Sequence, residues 1–344
     1  MTVRLFRGLP LITLLLLGGC SGGDVAQKSG PPNWFTNPDQ TYNEERYLLV
    51  SAEGPSTQTA QNRAFGNLAR TFAADIRASR RLLDKYQEVK KDREIAGSRQ
   101  ETVMITQSDV RSDQTLLNAR VLEQAKIGSK YYVLVGMERR ETRRIYAQRI
   151  ERNQKKIADY RTIAENAGKP VTRLAALRKA LVLAKANEQL RNQRAIVAGG
   201  SASVVSSLRP KLAKAVREAQ ADCPVVVQGD VPSSIRTQVG AALEAQGFRT
   251  VDRSGPAILN ATVRYEEHPT LSSRTDAHFL RWTLAIELTD IARGQTLETF
   301  TAEQRTGASS ETGAKRRARR RARTTVEDDF SIFLEQTFLR INPS

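Results

Sequence analysis

Cysteine and histidine are scarce in this sequence, with two of each among 344 residues. Two cysteines exclude a disulfide scaffold and any multi-cysteine zinc or iron–sulfur site, and two histidines leave little material for a histidine-based metal centre. The composition therefore argues against a metalloenzyme and against a redox enzyme. We expect no cofactor and no resident metal.

Aromatic residues are also few, with 2 Trp, 8 Tyr and 10 Phe, so the cores must be built mainly from aliphatic side chains. Hydrophobic residues still make up 40% of the chain, which is enough for globular cores and argues against global disorder. The length suits two ordinary domains. Lys and Arg outnumber Asp and Glu by 54 to 37, which gives a formal net charge of +17.

The N-terminus has the parts of a secretory signal sequence. Arg4 and Arg7 form a positive region, and the apolar run over residues 9–17 is interrupted only by one proline and one threonine. A membrane-spanning helix needs about 20 apolar residues. The run therefore predicts a cleaved signal peptide over residues 1–19 rather than a membrane-spanning anchor.

The apolar run ends in Leu17-Gly18-Gly19-Cys20, which resembles the lipobox of bacterial lipoproteins. The resemblance implies cleavage between Gly19 and Cys20, with diacylglycerol on the Cys20 thiol and further fatty acyl chains such as palmitate. Several chains hold a protein on a membrane permanently, whereas one chain does so only marginally. Ser21 implies release to the outer membrane, again by resemblance, because an Asp there favours inner-membrane retention. The alternative is an ordinary signal peptide with a chance cysteine.

Cleavage removes two positive charges, so the mature chain carries a net charge of +15. Its first segment, residues 20–33, is small, polar and rich in Gly and Pro, as expected of a flexible tether between lipid and folded protein. With Cys20 lipidated, Cys223 is the only free thiol. We expect Cys223 to be a buried small hydrophobe, with an intermolecular disulfide or a reactive thiol as the alternative.

Residues 34–140 predict a small α+β domain. Tyr47–Ser51 is a short apolar strand before the Gly54-Pro55 turn, and Ser56 or Thr57 can cap a helix that runs to about residue 74. The helix has one apolar face, with residues recurring every four positions: Ala60, Ala64, Leu68 and Phe72. A strand beginning at residue 75, a charged segment over 82–93, an insertion near 101–112 and strands over 117–121 and 131–135 follow.

The order of these features resembles the LPP-twenty family of bacterial envelope lipoproteins over residues 33–145. The resemblance is carried by Pro32-x-Trp34, Tyr47–Gly54, Ala60–Ala74, Asp75-Ile76 and the Gly128-x-x-Tyr131-Tyr132-Val133-Leu134-Val135 strand. It implies a small α+β domain on a lipid anchor. It implies no catalytic residues.

Residues 141–221 predict a helical hairpin and a connecting helix. The first helix has alternating spacings of four and three, which are typical of a coiled-coil seam, at Tyr146, Ile150, Asn153, Ile157, Tyr160, Ala164 and Ala167. Gly168-Lys169-Pro170 ends it, and a second helix has a stripe at Leu174, Leu177, Leu181 and Ala184. Asn153 can set the register of the pair. The hairpin either protrudes or packs on its own domain.

The connecting helix covers 203–221, with Pro210 at its start or at a kink, after a candidate hinge at Gly199-Gly200-Ser201. Residues 222–344 then predict an α/β domain with the element order β-α-β-β-β-β-α and helices on one side of the sheet. The fold class is α+β, with two small sheet-plus-helix domains joined by an antiparallel helical hairpin.

A basic run stands out in the last predicted helix, where seven of nine residues are cations: Lys315, Arg316, Arg317, Arg319, Arg320, Arg321 and Arg323. In a cytosolic chain this run would suggest a nucleic-acid patch, but the signal sequence places it outside the cytoplasm, so we expect no nucleic acid. A stripe of apolar residues from Ala314 to Phe333 docks the helix, and Arg323 is expected to pair with Glu327. The run is either a solvated face or a site for lipid phosphates, lipopolysaccharide or acidic wall polymer.

Two weaker patterns bear on metal binding and on catalysis. A hairpin could bring His268 near His278, with acidic neighbours that suit a divalent metal, at Glu266, Glu267 and Asp276. The tight spacing of a metalloprotease motif is missing, and the sequence contains no GxSxG, P-loop or GxGxxG motif.

We expect a non-enzymatic envelope adaptor with an unidentified protein partner, and the alternative is a polyanion-binding anchor. An envelope hydrolase is a remote third possibility.

Overall fold

The computed structural model describes residues 30–72, 117–200, 207–270 and 278–343. Helices and two separate sheets confirm the α+β class. The elements of the N-terminal part and the hairpin are α1 Asn33–Thr36, α2 Pro38–Thr41, β1 Tyr47–Gly54, α3 Thr57–Thr71, β2 Arg120–Ile127, β3 Lys130–Glu138, α4 Arg139–Asn166, α5 Pro170–Val197 and α6 Leu208–Ala221. The remaining elements are β4 Val225–Gln228, α7 Ser233–Ala245, β5 Thr250–Val251, β6 Leu259–Thr270, β7 His278–Asp290, β8 Gln295–Ala308, α8 Glu311–Thr325, a π-helical turn Val326–Phe330 and α9 Ser331–Arg340.

The N-terminal sheet has three antiparallel strands in the order β1-β3-β2. The central strand β3 is buried from Tyr132 to Met137, as its apolar run predicts. The Ser56 Oγ accepts a hydrogen bond from the Thr59 N–H at 3.2 Å, which caps α3 at the predicted place. The apolar face of α3 packs on the sheet through the four predicted residues. The predictions for residues 75–112 lie outside the described residues.

The helices α4 and α5 form the predicted antiparallel hairpin across Gly168-Lys169-Pro170. Each has 28 residues, which corresponds to about 42 Å at 1.5 Å per residue. The predicted α4 seam is buried from Tyr146 to Ala164, while Ala167 caps the helix and is half-buried. The hairpin prediction is therefore confirmed at the level of individual seam residues.

A buried amide pair crosses the hairpin. The Asn153 Nδ2 donates to the Asn187 Oδ1 at 2.7 Å, and the Asn187 Nδ2 donates to the Ile150 carbonyl oxygen at 3.1 Å. A shift of α5 along α4 would break both hydrogen bonds inside the core, where unpaired polar groups are costly. This pairing supports the predicted role of Asn153 in setting the register.

The two ends of the hairpin belong to two different cores. At its base, Tyr146 of α4 and Val197 of α5 pack with the N-terminal sheet. Toward the turn, α4 from Ile157 onward and α5 from Val171 to Ala186 share the core of the C-terminal sheet. The hairpin therefore neither protrudes freely nor packs on a single sheet, because each end contributes side chains to a different core.

The predicted α5 stripe is buried at Leu174, Leu177 and Ala184 and partly buried at Leu181, but this helix is also buried on other sides. It packs against α4, α6 and α9. Arg178 and Lys179, which the predicted stripe does not include, are buried as well. The Arg178 guanidinium lies 4.7 Å from the Phe338 ring centroid and donates to the Leu334 carbonyl oxygen at 3.2 Å, which joins the hairpin to α9.

The C-terminal sheet has the strand order β5-β4-β6-β7-β8, with β4 parallel to β5 and β6 and the other neighbours antiparallel. The predicted element order is confirmed. Alternate residues of β7 are buried on the face covered by the helices, with Trp282 at its centre. Phe248 lies just before β5 and packs on Phe338, with ring centroids 5.3 Å apart.

Two predicted boundaries on either side of residues 201–206 can be compared with the structure. Pro210 lies in the first turn of α6, which favours the helix start over the kink. At the predicted hinge, Gly199 has φ +82° and Gly200 N–H donates to the Ala195 carbonyl oxygen at 2.9 Å, so the two glycines close α5. Across the described ranges, no helix combines the length and apolar character needed to cross a membrane.

Candidate functional site

The basic helix α8 is held on the C-terminal sheet by small side chains. Ser310 Oγ accepts a hydrogen bond from the Gly313 N–H at 3.1 Å, which caps the N-terminus of α8. Ala314, Ala318 and Ala322 are buried against β7 and β8. Alanine at these positions lets the backbone of α8 approach the sheet closely. The cations are consequently left on the surfaces that point away from it.

Three of the seven cations have partners within the protein. Lys315 Nζ lies 2.7 Å from Glu311 Oε1, and this hydrogen bond raises the pKa of Lys315 and lowers that of Glu311. Arg319 Nε lies 3.0 Å from Glu267 Oε1 on β6. Arg317 donates to the Gly307 carbonyl oxygen of β8. These cations attach α8 to itself and to the sheet.

The other four cations, Arg316, Arg320, Arg321 and Arg323, are exposed and pair with no carboxylate in the described parts of the chain. Arg316, Arg320 and Arg323 are spaced i, i+4 and i+7, so they form one stripe directly opposite the alanines. We call these four side chains the α8 arginine cluster. Their mutual repulsion is a cost that an external anion would offset.

The predicted pair between Arg323 and Glu327 does not form among the described residues. The α-helix ends at Thr325, and the next turn, Val326–Phe330, is π-helical. The wider turn changes the angular spacing on which i,i+4 pairing depends. Glu327, Asp328 and Asp329 are all exposed on that turn and leave the α8 arginine cluster without a direct counter-charge.

Other predicted residues lie apart from α8. Cys20 and Gly19 lie outside the described residues. Cys223 is buried, and burial raises the pKa of its thiol to about 12, which keeps it protonated at neutral pH and agrees with the packing interpretation.

The two histidines lie in the predicted hairpin of β6 and β7. His268 is opposite Arg281, three residues from His278, so strand alternation directs the two imidazoles to opposite faces. His268 instead contacts Glu266 at 3.2 Å. The structure therefore does not bring the two imidazoles together. In the described ranges, no group of three metal-binding side chains occurs.

Sequence reasoning missed a second group of cations, at the base of the hairpin. Arg143 of α4 with Arg191 and Arg194 of α5 lie along one groove between the helices. The 4,3 periodicity could also have located two of them, since the α4 spacing continues backward from Tyr146 to Arg143 and the α5 spacing continues from Ala184 through residue 188 to Arg191.

No family model and no curated protein matches this chain. Among solved structures, the secreted protein HP1454 of Helicobacter pylori is 12% identical with a TM-score of 0.42, over 83% of this chain and 97% of that one. The minor lipoprotein from Acinetobacter baumannii is 14% identical with a TM-score of 0.25, over 34% of this chain and 91% of that one. The similar structures thus include a secreted protein and a lipoprotein, and likeness at this level assigns neither family nor activity.

Proposed function

We propose that this protein is a lipid-anchored lipoprotein of the outer membrane that acts as a non-enzymatic adaptor. The observation that carries the proposal is the hairpin, which contributes side chains to both cores and so connects the two sheets through helices of about 42 Å. A rigid spacer between a membrane-tethered domain and a second domain suits bridging rather than catalysis. The LPP-twenty resemblance over 33–145 is part of this proposal.

Anchoring is tested at Cys20. Replacing Cys20 with Ser should abolish lipid attachment and leave unprocessed precursor, because the thiol is the only nucleophile that the lipobox offers for diacylglycerol transfer. Metabolic labelling with a fatty acid and fractionation of membranes would measure both effects. Cys223→Ser is the matched control and should be labelled like the parent. A Cys20→Ser protein that is acylated and retained in the outer membrane would refute the anchor.

Bridging is tested by in-cell crosslinking and pull-down with the mature lipoprotein. An adaptor should capture the same envelope partner from intact cells whenever Cys20 is lipidated. Release of the captured partner on Cys20→Ser substitution would place lipid anchoring and partner binding in one function. Crosslinks to lipid alone would contradict the adaptor proposal.

A second candidate function is favoured by the α8 arginine cluster, namely binding of envelope polyanions. Each cation near an anionic membrane surface contributes about 1 kcal/mol to the binding free energy. This contribution falls off within about 8–10 Å of the surface, which is the Debye length. Changing the four arginines to Gln should weaken binding to anionic vesicles or cell-wall sacculi at least about tenfold at low salt. It should also flatten the salt dependence and leave folding nearly intact, because the alanine face is unchanged.

The matched control changes four exposed arginines elsewhere, which removes the same charge: Arg140, Arg217, Arg249 and Arg253. Arg317 is left in place in both variants because it donates to the sheet. Cosedimentation across a salt series measures the difference. Equal binding by the parent and the α8 variant would make the cluster a solvated helix face, and equal losses in both variants would indicate a general charge effect.

A further inference from the structure

The base of the hairpin contains an open groove of about 790 Å³ between α4 and α5. Its floor is apolar, with Ala147 and Ile150 from α4 and Ala195 from α5. The α4 residues that line the groove begin at 143 and end at 154, which spans about 16 Å or three helical turns. The groove is therefore as long as a short helix.

The rim of this groove is basic. Arg143, Arg191 and Arg194 line it, and none of them pairs with a carboxylate in the part of the chain that the structure describes. Arg143 Nε donates only to the Arg139 carbonyl oxygen, at 3.3 Å. Glu151 is also on the rim, so the rim cations outnumber the carboxylates by three to one. An apolar floor between uncompensated arginines matches an amphipathic ligand with acidic flanks.

The base groove is one end of a longer crease between α4 and α5, and the turn end of this crease shows what shape fits the groove. The linings of the two ends fall on the same helical stripes. On α4, residue 154 lines the base groove and residue 161, seven positions later, lines the turn end. On α5, residue 177 lines the turn end and residue 191, fourteen positions later, lines the base groove. At the turn end, this crease is covered by α6, whose Leu208 and Leu212 lie beside Ala164 and Leu177. A helix of this chain thus occupies the crease at the turn, and no helix among the described residues occupies it at the base.

We propose that the base groove docks an acidic amphipathic helix of a protein partner, which would continue the packing of α6 along the crease. The partner's apolar residues would contact Ala147, Ile150 and Ala195, and its carboxylates would pair with Arg143, Arg191 and Arg194. The inference rests on the proposed adaptor function and gives the chemistry of the partner. Association of this kind is salt-dependent, since the charges lie at an exposed rim.

The test uses the mature lipoprotein in detergent and a synthetic amphipathic peptide of about five helical turns, with leucines at 4,3 spacing and glutamates on both flanks. Calorimetry at low and at physiological salt should detect binding that weakens as salt rises. Changing Arg191 and Arg194 together to Glu should weaken binding at least about tenfold. The same variant should gain affinity for a peptide in which lysine replaces glutamate.

The matched control is the double change Arg316→Glu and Arg320→Glu on α8, which alters the net charge equally and should leave peptide binding unchanged. If the Glu variant of the groove unfolds by circular dichroism, Arg191→Gln with Arg194→Gln provides the same comparison with a smaller expected loss. Failure of the parent to bind at about 1 mM would overturn the proposal, as would equal losses in groove and control variants.

Two further results would also overturn it by showing another occupant. Competition of anionic vesicles for the groove arginines would make the occupant a membrane surface, and self-association that depends on Arg191 and Arg194 would make it a second copy of this chain. The anchoring experiment on Cys20 is independent of all these outcomes. A negative peptide result beside a positive Cys20 result therefore removes this docking site and leaves the lipid anchor in place.

Discussion

Replacing Ile157 with aspartate is expected to destabilise the protein by about 4 kcal/mol, close to the whole stability of many domains. Ile157 is 3% exposed and belongs to the core that the hairpin shares with the C-terminal sheet. A carboxylate there loses its hydration and meets aliphatic side chains. It also leaves a gap where the isoleucine packed. The loss of stability should extend beyond the hairpin to the C-terminal sheet, because the same hydrophobic cluster includes residues of β6, β7 and α8.

The matched control is Ala158→Asp, one residue further along the same helix and exposed. It introduces the same charge into α4 and should cost less than about 1 kcal/mol, the difference in helix propensity. Urea denaturation followed by circular dichroism measures both variants. Equal midpoints for Ile157→Asp and the parent would mean that the seam faces solvent in solution.

The hairpin was predictable in such detail because its signals are local. The 4,3 spacing fixes which side of α4 is apolar, and a short Gly/Pro turn permits only an antiparallel return. The caps at Ser56 and Ser310 are local in the same sense, since each involves a backbone N–H three residues away. Such features depend on residues that are close in the sequence and not on residues packed across the core.

The parts that the sequence did not predict depend on distant packing. The burial of Arg178 on α5 was not predicted because α9, more than 130 residues later, covers the side of α5 that carries it. The partners of Lys315 and Arg319 show the same difference between local and distant contacts. Glu311, the partner of Lys315, lies one turn away on α8, whereas Glu267, the partner of Arg319, lies on β6. The basic run was predicted as a set of seven cations, and only the structure shows which three of them have partners within the protein.

Replacing Lys179 with methionine is expected to stabilise the protein by about 2 kcal/mol at pH 7. Lys179 is fully buried on α5, and its Nζ lies 5.8 Å from the Tyr160 ring centroid. Burial lowers the pKa of this ammonium from 10.5 to about 8. Below pH 8 the folded protein must therefore carry a charge inside the core, whereas methionine fills a similar volume without one.

The sign of the pH dependence follows from that lowered pKa. Between pH 8 and 10.5 the unfolded chain holds the Lys179 proton more tightly than the folded chain, so raising the pH favours folding of the parent. The advantage of Lys179→Met should thus be full at pH 7 and shrink toward pH 10.5. Subtracting the two unfolding free energies at each pH cancels every other titrating group, and Lys155→Met on an exposed position serves as the control. A Lys179→Met protein that is less stable than the parent at pH 7, or a difference that stays constant up to pH 10.5, would contradict the lowered pKa of Lys179 and the cost of burying its charge.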